Sequence, residues 1–382
     1  MSKDKKNKRR RLGAWCVVRR ILLSLFTLIF LSVGALYLIL YSIARGPSKT
    51  VRNMLVLSAK QASATKWIPS LFLDDETIDG IVRDSEKVTV DVMSAAEYAK
   101  LHEVNAEREK QSGGEVKDEW ADAVDGIKLF TDRGDTFKAY IMLIADPSRV
   151  FVGVSSGDFE KAEIGMNIYS MVAKYGAVAA INGGEYEDPG GEGTGAKPIG
   201  LTYSKGACVW NDSAYRTFIG FDWNDRLVVS EGMSGDGAKA RGIRDGVMFQ
   251  NGNVLISSYN GDVSLYYAAG NTGTAQRTAI GQREDGTVIF IVTDGRAASS
   301  LGATHNDMID MMVKYGAVNA AMLDGGSSAM MYREDYYDLY DEFRDVTLDE
   351  YQVRGLVNKY KAFSSPRTMP TYFLVAREAE EW

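Results

Sequence analysis

Apolar residues recur at helical spacing twice in this chain, and each time the helix runs into a short apolar strand and a pair of glycines. In the first copy Ile168, Met171, Val172 and Tyr175 fall at i, i+3, i+4 and i+7; in the second Met308, Met311, Met312 and Tyr315 do the same. Both helices are predicted to end at Lys-Tyr-Gly-Ala-Val. The lysine suits the negative pole of the helix dipole, and Gly176 or Gly316 can take the left-handed conformation that stops a helix. Buried strands are predicted over 177–181 and 317–323, running into Asn182-Gly183-Gly184 and Asp324-Gly325-Gly326. Backbone N–H groups at such glycines can turn towards a ligand without side-chain obstruction. One helix–strand–Gly-Gly unit therefore occurs twice, and its polar ends fall where ligands lie in open α/β sheets, beyond the carboxyl ends of strands.

Elsewhere the pattern is mostly that of strands. Residues 127–130, 137–145 and 149–154 are rich in β-formers, as are 199–203, 217–221, 227–230, 246–250, 253–256 and 371–375. Turn signals such as Asn224-Asp225 and Asn251-Gly252 separate them. A further buried strand, 288–292, follows the turn Glu284-Asp285-Gly286-Thr287 and ends in Thr293-Asp294-Gly295-Arg296, placing a second carboxylate at a strand's end. The Gly-rich acidic stretch 185–197 reads equally as a surface loop and as the rim of a site. Converging of Asn182, Asp294 and Asp324 on one cleft is the expectation that follows. The fold class read from these features is α/β (mixed α+β), a β-rich single domain over 126–376.

The N-terminal half differs. Residues 21–44 are uncharged and rich in Leu, Ile and Phe, 24 residues that as a helix would span about 36 Å. Residues 1–20 carry nine Lys or Arg against the single Asp4, a net of +8; since the whole chain carries −7, the remainder sums to −15. The basic tail is explained by its place before the apolar run rather than by nucleic acid, and the positive-inside rule puts it in the cytoplasm and the rest outside. Ser42-Ile43-Ala44 also reads as a signal-peptidase site, but the run is longer than the apolar region of a signal peptide, so an uncleaved single-pass anchor is expected. Residues 45–125 read as a stalk, with a charged helix over 94–110 and a flexible break at 111–114, and 377–382 as a tail.

The 382 residues, 45% of them apolar, suffice for one large core. Cys16 and Cys208 would lie on opposite sides of the membrane and should not pair. With two cysteines and only His102 and His305, zinc chemistry is not expected; His102 reads as a surface residue and His305 as structural, near a helix start. No cofactor is required. The acidic residues Glu185, Glu187, Asp188, Asp294 and Asp324 leave Ca²⁺ open, although no fixed ligand spacing supports it.

The ordered set RTAIGQREDGTVIFIVTDGR, then GATHNDMIDMMVKYGAVNAAMLDGGSSAMM, preceded by AAINGG and followed by PRTMPTYFLV, resembles the phosphodiester glycosidase family over residues 126–375. The resemblance implies a hydrolase of sugar-1-phosphodiester bonds in cell-surface or exopolysaccharide material. It implies a cleft built from Asn182, Gly183, Gly184 and Glu185, from Arg277 and Thr278, from Asp294, Gly295 and Arg296, and from Asp324, Gly325, Gly326, Ser327 and Ser328. Two departures fall at the rim: Glu185-Tyr186 stands where an aromatic pair is usual, and Ser327 where a third glycine is common. The residue types suit the chemistry. A phosphodiester is already a good leaving group, so a histidine acid is dispensable, while its charge calls for Arg277, Arg296 and backbone N–H donors. The cationic centre at C1 calls for a carboxylate as nucleophile or base, Asp324 or Asp294. The competing expectation is a catalytically silent module on the same fold that binds glycans or polysaccharide-assembly proteins.

Overall fold

The apolar run Val288–Thr293 becomes a strand buried along its whole length, because it lies inside a sheet covered on both faces. A computed structural model describes residues 14–60, 65–85, 87–101, 119–189, 194–268, 272–295, 300–339, 347–358 and 365–379. The sheet has eight strands, in the spatial order Val88–Ser94, Asp262–Ala268, Val254–Tyr259, Ala317–Leu323, Thr278–Arg283, Val288–Thr293, Lys138–Ile144 and Ile127–Arg133. A four-stranded sheet follows the order Met331–Arg333, Ala179–Asn182, Thr371–Val375, Val150–Val154. A five-stranded one follows Ala207–Trp210, Thr202–Ser204, Ile243–Phe249, Thr217–Asp222, Leu227–Glu231.

All neighbouring strands in the three sheets are antiparallel. The architecture is thus mixed α+β and β-rich, and the open parallel α/β sheet that the repeated unit evokes is not what forms. What does form is its split version. Val288–Thr293 and Ala317–Leu323, joined through the helix His305–Lys314, both pair antiparallel with Thr278–Arg283 and so run the same way with that strand between them. Val150–Val154 and Ala179–Asn182, joined through the helix Ile168–Tyr175, flank Thr371–Val375 in the same manner. The inserted strand keeps the two ends of each crossover parallel, so polar residues following them emerge at one edge.

Each helix packs on the sheet its own strand joins. Ile168, Met171 and Val172 cover Phe151, Ala180, Tyr372 and Leu374 on one face of the four-stranded sheet. The alternate residues Val152, Ala179, Ile181, Phe373 and Val375 enter the main core, as the two-residue period of a strand requires. The second helix, opened by a capping box between Thr304 and Asp307, buries Met308, Ile309, Met311 and Met312 in that core. Gly176 ends the first helix at φ 63°, the left-handed conformation expected of it.

Two neighbouring charged residues tie the four- and five-stranded sheets together. Arg244 and Asp245 are fully buried, with Arg244 Nη1 3.3 Å from Asp245 Oδ2. Asp245 Oδ1 accepts from the backbone N–H of Val152 and of Lys205, each at 3.0 Å, and Arg244 Nη2 donates to the Val150 carbonyl at 2.9 Å. Burial pushes the Asp245 carboxyl up to about 6 against the pull of the Arg244 charge.

The described residues between 45 and 125 also fold against the rest. The helices Lys49–Lys60 and Asp75–Ser85 enclose Val56, Leu57, Phe72, Leu73, Ile78 and Ile81 around Ala44, at the end of the helix Ala14–Arg45. Val88–Ser94 pairs over its full length with Asp262–Ala268, and Tyr98 enters the main core. Of the charged helix expected over 94–110, residues 95–101 are helical; His102 and 111–114 lie outside the described residues. The helix Ala14–Arg45 is long and apolar enough to cross a bilayer by length and composition, and its large apolar side chains from Trp15 to Ile39 are exposed.

Candidate active site

The two helix–strand units end up in different sheets and meet end to end. Asn182 closes its strand fully buried, and its side-chain Nδ2 donates to the Asp324 carbonyl at 2.6 Å. Its Oδ1 accepts from Thr278 Oγ1 at 2.7 Å and from the Met330 N–H at 3.1 Å, while the Asp324 N–H donates to the Gly183 carbonyl. Asn182 is thus a clamp between the strand ends, with its amide occupied by protein. The same holds for the glycines. Gly183 N–H donates to the Thr371 carbonyl, Gly184 N–H to Thr371 Oγ1 at 3.2 Å, and Gly326 N–H to the Gln276 carbonyl. The expectation that these N–H groups face a ligand is therefore corrected: glycine is needed for close approach. A Cβ on Gly184 would sit 2.3 Å from the Met248 carbonyl oxygen, and one on Gly183 2.4 Å from Thr371 Oγ1.

Asp294 and Asp324 leave the same edge of the eight-stranded sheet. Thr278 pairs with Leu323 on one side and Val292 on the other, which sets those two strands about 10 Å apart at two strand spacings. Gln276 spans both turns, its carbonyl accepting from Gly326 N–H and its Nε2 donating to the Gly295 carbonyl at 3.1 Å. Asp294 Oδ2 accepts from the Tyr140 hydroxyl at 3.1 Å.

Around Asp324 the polar groups form a connected cluster. Arg367 Nη1 donates to the Tyr186 hydroxyl at 2.9 Å and to Asp188 Oδ2 at 2.9 Å. The Tyr186 hydroxyl lies 3.3 Å from Ser328 Oγ, and Ser328 stands close enough to the Asp324 carboxyl to favour its charged form. The Tyr186 oxygen accepts from arginine, and between Tyr186 and Ser328 either hydroxyl can be the donor. Asp324 keeps some surface open to solvent, yet protein walls it so closely that burial pushes its carboxyl up to about 6. Hydrogen bonds from Ser328 and the Gly325 N–H, and the Arg367 charge, pull the other way; the Glu185 charge adds to the rise. Glu185 itself is held by Arg216 Nε at 2.6 Å. Burial and the Asp324 charge raise the Tyr186 phenol above its usual range.

The structure thus brings together Asn182, Gly183, Gly184, Glu185, Thr278, Asp324, Gly325, Gly326 and Ser328. Ser327 is partly exposed beside Ser328, and Asp294 with Gly295 forms the neighbouring turn. Arg277 is engaged elsewhere: Nε donates to the Ala303 carbonyl and Nη2 to the Gly273 carbonyl, each at 3.1 Å. Arg296 lies outside the described residues. His305 is buried at its helix start with Nε2 3.0 Å from the Tyr266 carbonyl, and burial lowers its imidazole to about 4. Arg367 is the residue that sequence reasoning left out of the site, while Tyr186 was placed only at its rim and Asp188 only among acidic residues that could hold Ca²⁺. A signal was present for Arg367, which lies in PRTMPTYFLV, and Tyr186 follows Asn-Gly-Gly directly. Among the described residues no three His, Cys, Asp or Glu side chains gather at one point, and Glu185 and Asp188 each pair with an arginine.

Comparison with known proteins bears on this arrangement. A family model described as phosphodiester glycosidase matches residues 175–376, more than half of the chain. The SPbeta prophage-derived uncharacterized protein YomE of Bacillus subtilis is 46% identical over 61 residues, which are 16% of this chain and 10% of YomE. The chain thus spans about a tenth of that relative's length. Among solved structures, the zebrafish N-acetylglucosamine-1-phosphodiester alpha-N-acetylglucosaminidase catalytic domain, auto-inhibited by its pro-peptide, is 17% identical with a TM-score of 0.48, covering 65% of this chain and 82% of that one. A putative exported protein from Burkholderia pseudomallei is 14% identical with a TM-score of 0.41, covering 63% and 74%.

Proposed function

This chain belongs to the phosphodiester glycosidase family of hydrolases, and on that premise we propose that it cleaves the bond between sugar C1 and the bridging oxygen of a sugar-1-phosphodiester in cell-surface or extracellular polysaccharide. The observation that carries the reading is the polar cluster of Arg367, Tyr186 and Ser328 gathered around the Asp324 carboxylate. It aims an ionised carboxylate and holds it in a recess where its charge is weakly screened. As the C1–O bond breaks, its electron pair leaves on the phosphate oxygen and C1 becomes cationic, which Asp324 stabilises. Water supplies the new oxygen at C1 and loses a proton to a carboxylate, giving the free sugar and a phosphomonoester. Asp294, at the neighbouring strand end, is the second carboxylate. Arg367 and Arg216 bring positive charge to the rim near Asp324, where a phosphate would compete with Asp188 and Glu185 for them.

The full chain in lipid nanodiscs, given UDP-N-acetylglucosamine or a glycosyl-1-phosphodiester, should release free sugar and phosphomonoester in equal amounts. Binding without turnover across several sugars would leave the glycan-binding module as the function. Arg367→Met removes the positive charge that favours ionised Asp324, so the acid limb of the pH–rate profile should move upward from about 6. An unmoved limb with unchanged rate would take Arg367 out of the mechanism.

The reading includes a single-pass anchor, with residues 1–20 cytoplasmic and the catalytic domain outside. It is supported by the charge asymmetry and by packing of the helix end against the folded part, since Ala44 is buried and Arg45 Nε donates to the Phe72 carbonyl at 2.7 Å. Protease added to intact cells should digest the domain; full protection until lysis would reverse the topology.

A further inference from the structure

Residues 66–74, Lys-Trp-Ile-Pro-Ser-Leu-Phe-Leu-Asp, form an apolar turn that hydrolysis does not use. Its side chains divide. Phe72 and Leu73 are buried, while Trp67 is 57% and Leu71 54% exposed. The Phe72 ring packs on Tyr37 and Tyr41 of the long N-terminal helix, with centroids 5.3 and 6.5 Å apart, and the Phe72 carbonyl takes Arg45. Tyr41 and Tyr37 lie one and two turns before Arg45, so at 1.5 Å per residue the Phe72 ring sits about 6–12 Å back along the helix from Arg45. The turn is therefore level with the last part of the apolar span rather than beyond it.

Resting on the anchor reading above, we propose that residues 66–73 are a second lipid-contacting element, a wedge set in the outer leaflet beside the anchor with Trp67 and Leu71 facing lipid. The backbone suits that place. Irregular chain in an apolar medium needs its N–H groups satisfied internally. Four of the seven N–H groups in 66–73 are: Ile68 N–H donates to the Thr65 carbonyl, Leu71 N–H to that of Ile68, and Phe72 and Leu73 N–H to that of Pro69, which has no N–H of its own. Lys66 and Asp74 bound the apolar run, and a tryptophan at its edge is the residue type that favours the interface. Two attachments side by side would fix the orientation of the domain on the membrane, where one helix alone would let it turn.

The test uses the full chain in nanodiscs, with Cys16→Ser and Cys208→Ser as background and the environment-sensitive NBD fluorophore attached at Leu71→Cys. Two reference positions are Leu36→Cys on the anchor helix and Tyr259→Cys on the main sheet, 56% and 77% exposed. With doxyl-labelled lipid, emission at position 71 should be blue-shifted and quenched roughly twofold, as at 36, while 259 stays unquenched. Quenching at 36 with position 71 behaving like 259 would overturn the wedge and leave the anchor standing. Absence of quenching at 36 as well would overturn the anchor reading and the wedge with it.

Discussion

Asp324→Asn should lower kcat by roughly 10²–10⁴, about 3–5 kcal/mol of barrier, while leaving the domain folded. The substitution keeps the size of the side chain and its ability to accept from Ser328 and from the Gly325 N–H, and removes only the charge that meets the cation at C1. Its stability signature runs the opposite way from its activity. The folded-state carboxyl is raised to about 6 from an ordinary 3.8, so the native state binds more protons than the unfolded state between those values. Ionised Asp324 therefore lowers stability above about pH 6, and that penalty fades as the pH falls towards 3.8. The asparagine variant should match or exceed the parent in thermal stability at pH 7, with the gap closing in acid. In the parent, turnover should rise as the pH climbs through about 6 and then level off, because only the ionised carboxylate acts. Near-full turnover by Asp324→Asn, or loss of activity through unfolding, would make the residue structural and move the role to Asp294.

The largest effect on stability is expected at Arg244, well away from that chemistry. Arg244→Met would leave the Asp245 carboxylate enclosed on every side with its neighbouring charge gone, and should destabilise the fold by about 3–5 kcal/mol at neutral pH. No solvent screening softens that figure, since both side chains are fully buried. The folded pKa of Asp245 is already raised to about 6 and would rise further without the arginine, so the deficit should be greatest above that value and shrink as the pH falls and the carboxyl takes up its proton. Adding Asp245→Asn to Arg244→Met should recover much of the loss, because the amide oxygen still accepts from Val152 and Lys205 while the charge is removed. Denaturant titration at pH 7.5 and 5.5 measures both effects. Equal loss at the two pH values, with no recovery in the double variant, would mean that the arginine matters for packing rather than for charge.

Local pattern along the chain was enough to locate much of the scaffold. The i, i+3, i+4, i+7 spacings mark the helices Ile168–Tyr175 and His305–Lys314, and the continuous apolar run marks Val288–Thr293, since neighbours in sequence determine helical faces and strand burial. The charge step before residue 21 and the motifs around Asn182, Asp294 and Asp324 were legible for the same reason. The strand Val88–Ser94 escaped notice because an edge strand with little burial has weak pattern, and its partner lies more than 160 residues away. Tertiary structure alone decided the rest. Whether a crossover is plain or split depends on a strand inserted from elsewhere in the chain, and Thr278–Arg283 and Thr371–Val375 fill those places only once the sheets assemble. The same holds for which polar groups remain available. Gly183, Gly184 and Arg277 resemble ligand contacts in one dimension, yet strand approach commits them to Thr371, Met248, Ala303 and Gly273, while Arg367, some 40 residues past Asp324, is carried in to join the cluster around it. Hydrogen bonds are saturable and short-ranged, so what a polar residue does is determined by whichever groups the fold brings within about 3 Å of it.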